Sequence, residues 1–159
     1  MHEKYDSILS TPGMQGKWLL NYLSSHDDGA PFDPKREKTF ESANRLLLNR
    51  GAAQIYYGEE TARSLTVKAE GDAVLRSYMN WEDLNKAETQ DLYKHFQKLG
   101  TFRQKHPSVG AGKHTTLKVL PYTFSRSWTN GSLKDAVVVC LGCSKGPKSI
   151  DVSSTFTDG

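Results

Sequence analysis

An imidazole and two carboxylates stand side by side in the sequence, at His26, Asp27 and Asp28. They follow residues 16 to 25, GKWLLNYLSS, which have the length and apolar density of a strand buried on both faces. In parallel sheets, ligand-binding groups lie beyond the carboxyl ends of the strands, where loops present them without disturbing the core. A carboxylate beside an imidazole at such a position can stabilise charge that develops on a substrate. The alternative is that one aspartate caps a turn and His26 is an ordinary hydrogen-bonded residue.

Two further features favour a ligand site over a simple turn. Asp33 already stands where the cap of the next helix belongs, so the earlier aspartates lie too far ahead to serve as that cap. Glu59 and Glu60 follow the next apolar run, so acidic groups recur at the same edge of the predicted sheet. Neighbouring like charges raise carboxyl pKa values and cost stability, and functional sites tolerate that cost more often than scaffolds do.

One strand-helix-strand unit is predicted to position these groups. Asp33 and Pro34 indicate the start of a helix over about residues 34 to 50, and Gly51 is placed to end it. Residues 52 to 58, AAQIYYG, form a second short apolar run. Such units form parallel sheets with right-handed crossovers.

A long surface loop and a second helix are predicted next. Residues 61 to 87 are mixed and polar, and long loops after parallel strands are more often functional than decorative. The apolar pattern then predicts a helix from Lys86 to His106, with Asn85 as its N-cap and Pro107 ending it.

The pattern changes to period-two alternation after that helix. Asn130-Gly131 predicts a turn, VVVCLGC at residues 137 to 143 a strand, and SIDVSSTF at residues 149 to 156 another. We therefore predict an antiparallel β-sandwich after the βα units, with a domain boundary near residues 107 to 113.

Cys140 and Cys143 form a C-x-x-C sequence that is typical of a redox pair or of half a zinc site. Redox pairs lie at a helix N-terminus, whereas these cysteines fall in a predicted strand, where they would point to opposite faces. We interpret them as ordinary strand cysteines.

Composition excludes several classes of protein. The chain is 36% hydrophobic and 25% charged, as globular domains are, and its formal charge of +3 is too small to indicate nucleic-acid binding. No apolar run approaches the roughly 20 residues of a membrane span, and MHEKYDSIL lacks the apolar core of a signal peptide.

Four ordered segments resemble the α-amylase family of glycoside hydrolases. Residues 22 to 28, YLSSHDD, are similar to the family's F-x-x-x-H-D segment, and residues 52 to 60, AAQIYYGEE, to its P-x-I-Y-Y-G-x-E segment. Residues 76 to 83, RSYMNWED, resemble the R-x-P-M-x-W stretch, and residues 92 to 112 resemble the last barrel helix and its exit. The resemblance implies an α+β chain: the seventh and eighth βα units of a TIM-type (β/α)8 barrel over residues 1–107, then an antiparallel β-sandwich C-terminal domain over residues 108–159.

Roles follow from the resemblance for three residues. Asp27 would be the carboxylate that stabilises the transition state, His26 would hydrogen-bond the same sugar, and Asp28 would contact a neighbouring subsite. Retaining glycosidases pass through an oxocarbenium-like transition state, to which such groups bind more tightly as charge develops. Tyr56, Tyr57 and Trp81 are aromatic groups for sugar stacking, although packing is the commoner role of such residues.

Sequence departures from the family pattern affect loop shape more than the chemistry. Ser25 stands where the family often has Asn, Gly51-Ala52-Ala53 replaces a proline-containing approach, and Tyr78 replaces the proline of R-x-P-M.

The resemblance also implies that the nucleophile and the acid/base lie elsewhere. Retaining hydrolysis needs two carboxyl groups roughly 5 Å apart. The family's G-F-R-x-D motif, which precedes the nucleophile, does not occur in the 159 residues. We therefore expect a fragment of a hydrolase that cleaves α-1,4-glucosidic bonds in starch and maltooligosaccharides, with the chain itself inactive. A transglycosylase or oligo-glucosidase, a non-catalytic carbohydrate-binding module and a truncated gene product without a role of its own are the alternatives.

The same resemblance fixes the remaining expectations. The partner is an α-glucan, with neither nucleic acid nor membrane. No metal or other cofactor is expected in this chain, because the family's calcium is usually held by other segments. The parent would be secreted, periplasmic or on the cell surface, since starch is too large to enter cells. Unpaired barrel strands predict self-association of this chain.

Overall fold

The computed structural model describes residues 2–68, 70–143 and 149–156. The helices are α1 His2–Leu9, α2 Thr39–Leu47, α3 Ala87–Lys105 and α4 Pro107–Ala111, with 3-10 helices at Gly71–Arg76 and Trp81–Asn85. The strands are β1 Leu20–Asn21, β2 Ala52–Ala53, β3 Lys113–Lys118, β4 Thr123–Asn130 and β5 Leu133–Cys140.

The strand-helix-strand unit is present, and its two strands are parallel as predicted. Leu20 lies opposite Ala52 and Asn21 opposite Ala53. Each strand has only two residues, far fewer than the predicted residues 16 to 25 and 52 to 58. In the described part of the chain no further strand pairs with either of them, so the flanking apolar residues have no ladder to join.

A glycine is needed at position 51, directly before β2, because the backbone of the neighbouring strand lies close to it. Gly51 does not end the helix, which was its predicted role. Its φ is +96°, and a Cβ there would lie 2.4 Å from the Leu19 carbonyl oxygen. The amide of Ala52 donates to that same oxygen at 2.8 Å. Only a residue without a side chain lets the two strands approach this closely.

The first predicted helix is shorter than expected. It begins at Thr39 with Lys38 as its N-cap, so the prediction of Asp33 as the cap was wrong. Asp33 has a φ of +52°, and its carboxylate accepts hydrogen bonds from the amides of Glu37 at 2.9 Å and Lys38 at 2.8 Å. Asp33 therefore stabilises the turn that leads into α2, not the first turn of the helix.

The second predicted helix matches α3 to within a residue at each end. Leu92, Phe96 and Leu99 are buried, as their spacing predicted. Its N-cap is Lys86, without a side-chain cap hydrogen bond, so the capping role predicted for Asn85 was wrong. Asn85 instead ends the 3-10 helix that precedes α3.

The predicted antiparallel sheet is present, in the order β3-β4-β5. The Asn130-Gly131 turn joins β4 to β5, whose pairing runs without a shift from Thr123 opposite Cys140 to Asn130 opposite Leu133. The strand predicted over residues 149 to 156 is absent from the described residues of that segment. Asp151 accepts from the Ser153 amide at 2.9 Å, which bends the chain into a turn. The described residues thus form one three-stranded sheet, and the second layer of the predicted sandwich is not among them.

Cys140 and Cys143 form a disulfide with a Cα–Cα distance of 5.7 Å, which corrects their interpretation as ordinary strand cysteines. Strand β5 ends at Cys140, and Gly142 has a φ of +85°. The chain therefore turns back after Cys140, and the two side chains meet instead of pointing to opposite faces.

One hydrophobic core spans the helices and the sheet. Its buried members are Ala43, Leu47, Leu48, Leu92, Phe96, Leu99, Val109, Phe124, Val137 and Val139. Two arginines bind carbonyl groups at the C-terminal end of α2. Arg103 donates to the Leu47 and Asn49 oxygens, and Arg126 donates to the Leu48 oxygen. The division into domains at residues 107 and 108 stays a prediction.

Candidate functional site

His26 and Asp27 lie together on the surface beyond the end of β1. Their side chains are 66% and 62% exposed, and His26 Nε2 is 3.7 Å from Asp27 Oδ2. The Ser25 hydroxyl donates to Asp27 Oδ1 at 2.9 Å and orients the carboxylate from the other side. The pair is therefore open to a solvent-borne ligand, and its charge is not buried.

Asp28 takes a different position from its neighbours. Its Oδ1 accepts from the Ala30 amide at 3.0 Å, which is the turn-capping role that the alternative interpretation assigned to these aspartates. Asp28 also lines an open cleft of about 550 Å³. Pro31, Pro34, Leu65, Asp72 and Leu75 are other lining residues. Asp28 thus faces a cleft, while Asp27 faces open solvent beside it.

Arg76 contacts the backbone of the His26–Asp28 turn. Its Nε donates to the His26 carbonyl oxygen at 2.9 Å, and its Nη2 lies 3.6 Å from Asp72 Oδ2. Arg76 is the last residue of the first 3-10 helix, within the long surface loop predicted over residues 61 to 87. Its role was missed, because a contact across 50 residues leaves no local sequence signal.

Glu59 is bonded to the chain just before the same turn. The Ser24 hydroxyl donates to Glu59 Oε1 at 2.7 Å, within a buried environment. Glu59 is only 2% exposed, and its Oε2 has no hydrogen-bond partner. Burial raises the pKa of Glu59 to about 7, against the opposing effects of the Ser24 hydrogen bond and the Arg36 charge. The second strand end therefore contributes an acid near the first, as predicted, but a buried one.

Tyr56 and Tyr57 hold a neighbouring loop. The Tyr56 hydroxyl donates to the Leu75 oxygen at 3.1 Å, and the Tyr57 hydroxyl to the Ser77 oxygen at 2.8 Å. The buried Arg63 guanidinium lies 3.9 Å from the Tyr57 ring centroid. These contacts favour the packing interpretation of both tyrosines over sugar stacking.

The part of the chain that the structure describes was compared with the patterns of metal sites and of membrane-spanning helices. No three His, Cys, Asp or Glu side chains gather there as metal ligands would. None of the described helices combines the length and the apolar character that a membrane crossing requires.

Comparisons with known proteins give one curated relative and several solved structures. The chain is 41% identical over 105 residues to a periplasmic α-amylase of Escherichia coli strain K12, a match that covers 65% of this chain and 15% of that protein. The chain therefore spans well under a fifth of the length of that relative. No protein-family model matches it.

The solved structures agree in fold. A debranching enzyme from Nostoc punctiforme, in a crystal soaked with acarbose, superposes with a TM-score of 0.61 at 24% identity, over 96% of this chain and 31% of that one. AmyP in complex with maltotriose gives 0.54 at 16% identity, over 79% of this chain and 33% of that one. At these identities the likeness concerns the fold alone, which in such enzymes combines a TIM-type barrel with a C-terminal domain.

Proposed function

We infer that this chain is a fragment of an α-amylase-family protein, over a span that is 15% of the curated relative, and on that premise we propose its function. We propose that it supplies the seventh and eighth βα units and part of the C-terminal domain of a retaining glycoside hydrolase. The reaction is cleavage of α-1,4-glucosidic bonds in starch and maltooligosaccharides.

The observation that carries the proposal is the exposed His26–Asp27 pair beyond a parallel strand. The Asp27 carboxylate is fixed by the Ser25 hydroxyl, lies beside the His26 imidazole and is open to solvent. A fixed carboxylate lowers the barrier as positive charge develops on the sugar ring, because it needs little reorganisation at that moment. Asp27 is therefore the transition-state stabiliser, and His26 binds the same sugar.

Asp28 is assigned to a neighbouring subsite. Its carboxylate lines the cleft of about 550 Å³, in which a glucose unit next to the reacting one has room. Carboxylates bind sugar hydroxyls well, because each oxygen accepts more than one hydrogen bond.

The chain alone is proposed to be inactive and free of metal. The nucleophile and the acid/base would come from the rest of the hydrolase, and Glu59 does not replace them, because it is buried and hydrogen-bonded to Ser24. Any calcium would be held by other segments of the parent.

The parent is proposed to work outside the cytoplasm. The curated relative is named as a periplasmic protein, and Cys140 and Cys143 form a disulfide. Disulfides persist in oxidising compartments such as the periplasm and the extracellular space.

The test begins upstream of Met1. We expect an open frame of about three hundred codons containing a G-F-R-x-D strand, a rough length taken from barrel size. In the enzyme so encoded, Asp27→Asn should lower kcat on maltooligosaccharides at least about 100-fold. Asp91→Asn on the exposed face of α3 is the matched control and should leave kcat unchanged.

Two results would contradict the proposal. One is an Asp27→Asn enzyme as active as the Asp91→Asn control. The other is release of reducing sugar from starch by the pure 159-residue chain in an Asp27-dependent manner, since that would show the chain to be catalytically complete.

A further inference from the structure

Tyr78 is the most exposed large hydrophobic side chain in the described part of the molecule, at 99% exposure. A single exposed ring is ordinary on a protein surface. Tyr78 differs from such rings in the way that its loop is held, and in what lies next to that loop.

Fixed residues stand on both sides of Tyr78. On one side, Ser77 accepts hydrogen bonds at its carbonyl oxygen from the Tyr57 hydroxyl at 2.8 Å and at its Oγ from Arg63 Nη1 at 2.6 Å. Arg63 is itself buried and stacked on Tyr57, so this attachment is rigid.

The other side is held by Asn80. Asn80 Oδ1 accepts from the Thr61 hydroxyl at 2.7 Å, and Asn80 Nδ2 donates to the Thr61 carbonyl at 2.9 Å. Only Tyr78 and Met79 lie between these two attachments. A short loop that is pinned at both ends therefore presents the ring to solvent, and little conformational entropy remains to be lost when the ring is covered.

The loop is also joined directly to the candidate site. Arg76, two residues before Tyr78, donates to the His26 carbonyl oxygen at 2.9 Å. Trp81, three residues after Tyr78, is 68% exposed. An exposed aromatic pair thus lies on a segment that contacts the His26–Asp28 turn.

We propose that Tyr78, with Trp81, is an aromatic platform that binds a glucose unit of an α-glucan next to the His26–Asp28 site. The inference rests on the proposed function for the identity of the ligand. One face of a glucose ring is lined by C–H groups and covers an aromatic ring well, while its hydroxyl groups remain free to bind nearby polar atoms.

Charge and shape favour a neutral sugar over other ligands. Asp28 and Asp72 line the cleft beside the His26–Asp28 turn, Asp27 belongs to that turn, and the charge of Arg76 already pairs with Asp72. This excess of carboxylates disfavours phosphate groups. The residues that flank the ring, Ser77 and Asn80, are polar, so there is no continuous apolar patch of the kind that protein partners cover.

The test is binding of maltoheptaose to the purified chain, measured by calorimetry and by NMR of ¹³C-labelled tyrosine rings. Tyr78→Ala should weaken binding about three- to tenfold, the range of one aromatic contact. Tyr78→Phe should bind like the wild type, because stacking does not need the hydroxyl. Tyr93→Ala on α3 is the matched control, and cellohexaose, with β-1,4 links, should bind more weakly than maltoheptaose.

The outcomes separate this inference from the proposed function through a second variant, His26→Ala. If His26→Ala weakens binding and Tyr78→Ala behaves like Tyr93→Ala, the platform is overturned and the proposed function stands. If Tyr78→Ala weakens binding and His26→Ala does not, the platform stands and the proposed role of His26 in binding the sugar fails. Absence of saturable binding to the wild-type chain would overturn the platform.

Discussion

The parallel pair β1–β2 lies in the more apolar sequence, yet only the antiparallel sheet β3–β5 is well formed. The sheet has two strands of eight residues in continuous register, whereas β1 and β2 have two residues each. Trp18, Leu20 and Tyr22 around β1 are all more than half exposed. An antiparallel hairpin closes with its sequence neighbour, but a parallel strand depends on distant partners. The contrast teaches that the first unit is sparsely paired within the described residues, although its strand-helix-strand order is as predicted.

This sparsely paired unit is nevertheless attached to the sheet. Arg126 on β4 donates to the Leu48 oxygen at the end of α2 and to the Val109 oxygen of α4, and burial lowers the pKa of its guanidinium to about 10. The sheet thus supplies donors that the last turn of α2 lacks.

The largest expected effect comes from removing that attachment. Arg126→Ala should lower the free energy of unfolding by about 3–5 kcal/mol, because buried carbonyl groups lose their donors and a cavity remains. Urea unfolding measures the loss, and hydrogen exchange should locate it first in α2. Arg45→Ala, which breaks a partly exposed ion pair with Glu41, is the control and should cost about 0.5 kcal/mol. Equal losses of unfolding free energy in the two variants would show that the sheet does not stabilise the strand-helix-strand unit.

Sequence patterns predicted the elements that depend on local periodicity. Helix α3 and the Asn130-Gly131 turn follow from residues within one or two turns of each other. The parallel pairing of β1 with β2 follows instead from the strand-helix-strand order of the chain. Strand lengths were overestimated, because an apolar run shows only that a segment is able to form a strand. It does not show whether a pairing partner is present.

The candidate site divides in the same way. His26, Asp27 and Asp28 were predicted as candidates from their place after an apolar run, since that pattern is contiguous. The Arg76 contact was missed, because it reaches the turn across 50 residues. Glu59 was expected at this edge, but its burial and its hydrogen bond with Ser24, 35 residues away, were not. Contacts at such separations are fixed by tertiary packing and have no signature in a single sequence.

A smaller effect is expected from the buried acid beneath the site. The pKa of Glu59 is raised from an ordinary 4.5 to about 7 by burial, so the folded state holds a proton that the unfolded chain has already lost. The stability that this proton provides is complete below pH 4.5 and is lost as the pH rises through about 7, with a total of about 3 kcal/mol. Glu59→Gln should remove this dependence, so the variant should equal the wild type at pH 4 and exceed its stability by up to about 3 kcal/mol at pH 8.

Denaturant unfolding at several pH values measures the difference. Glu82→Gln, an exposed position on the second 3-10 helix, is the control and should follow the wild-type profile. A Glu59→Gln profile parallel to the wild type would mean that Glu59 is ionised in the folded protein. The strand-helix-strand unit would then hold a buried charge, as the sheet does at Arg126, and the two regions would differ less than proposed.

The smallest effect on stability, and the most direct test of the contrast, concerns self-association. If the exposed apolar surface around β1 lacks a pairing partner, the chain should associate through it. Sedimentation should then show a mass that rises with concentration. Leu20→Lys should shift the chain toward the monomer, because a charge would have to be buried in the contact. Leu133→Lys is the matched control, since Leu133 is 64% exposed, close to the 58% of Leu20, but lies in the antiparallel sheet β3–β5. Both substitutions should change the unfolding free energy of the monomer by less than about 0.5 kcal/mol. A wild-type chain that stays monomeric, or a Leu133→Lys chain that dissociates equally well, would show that the surface around β1 carries no association.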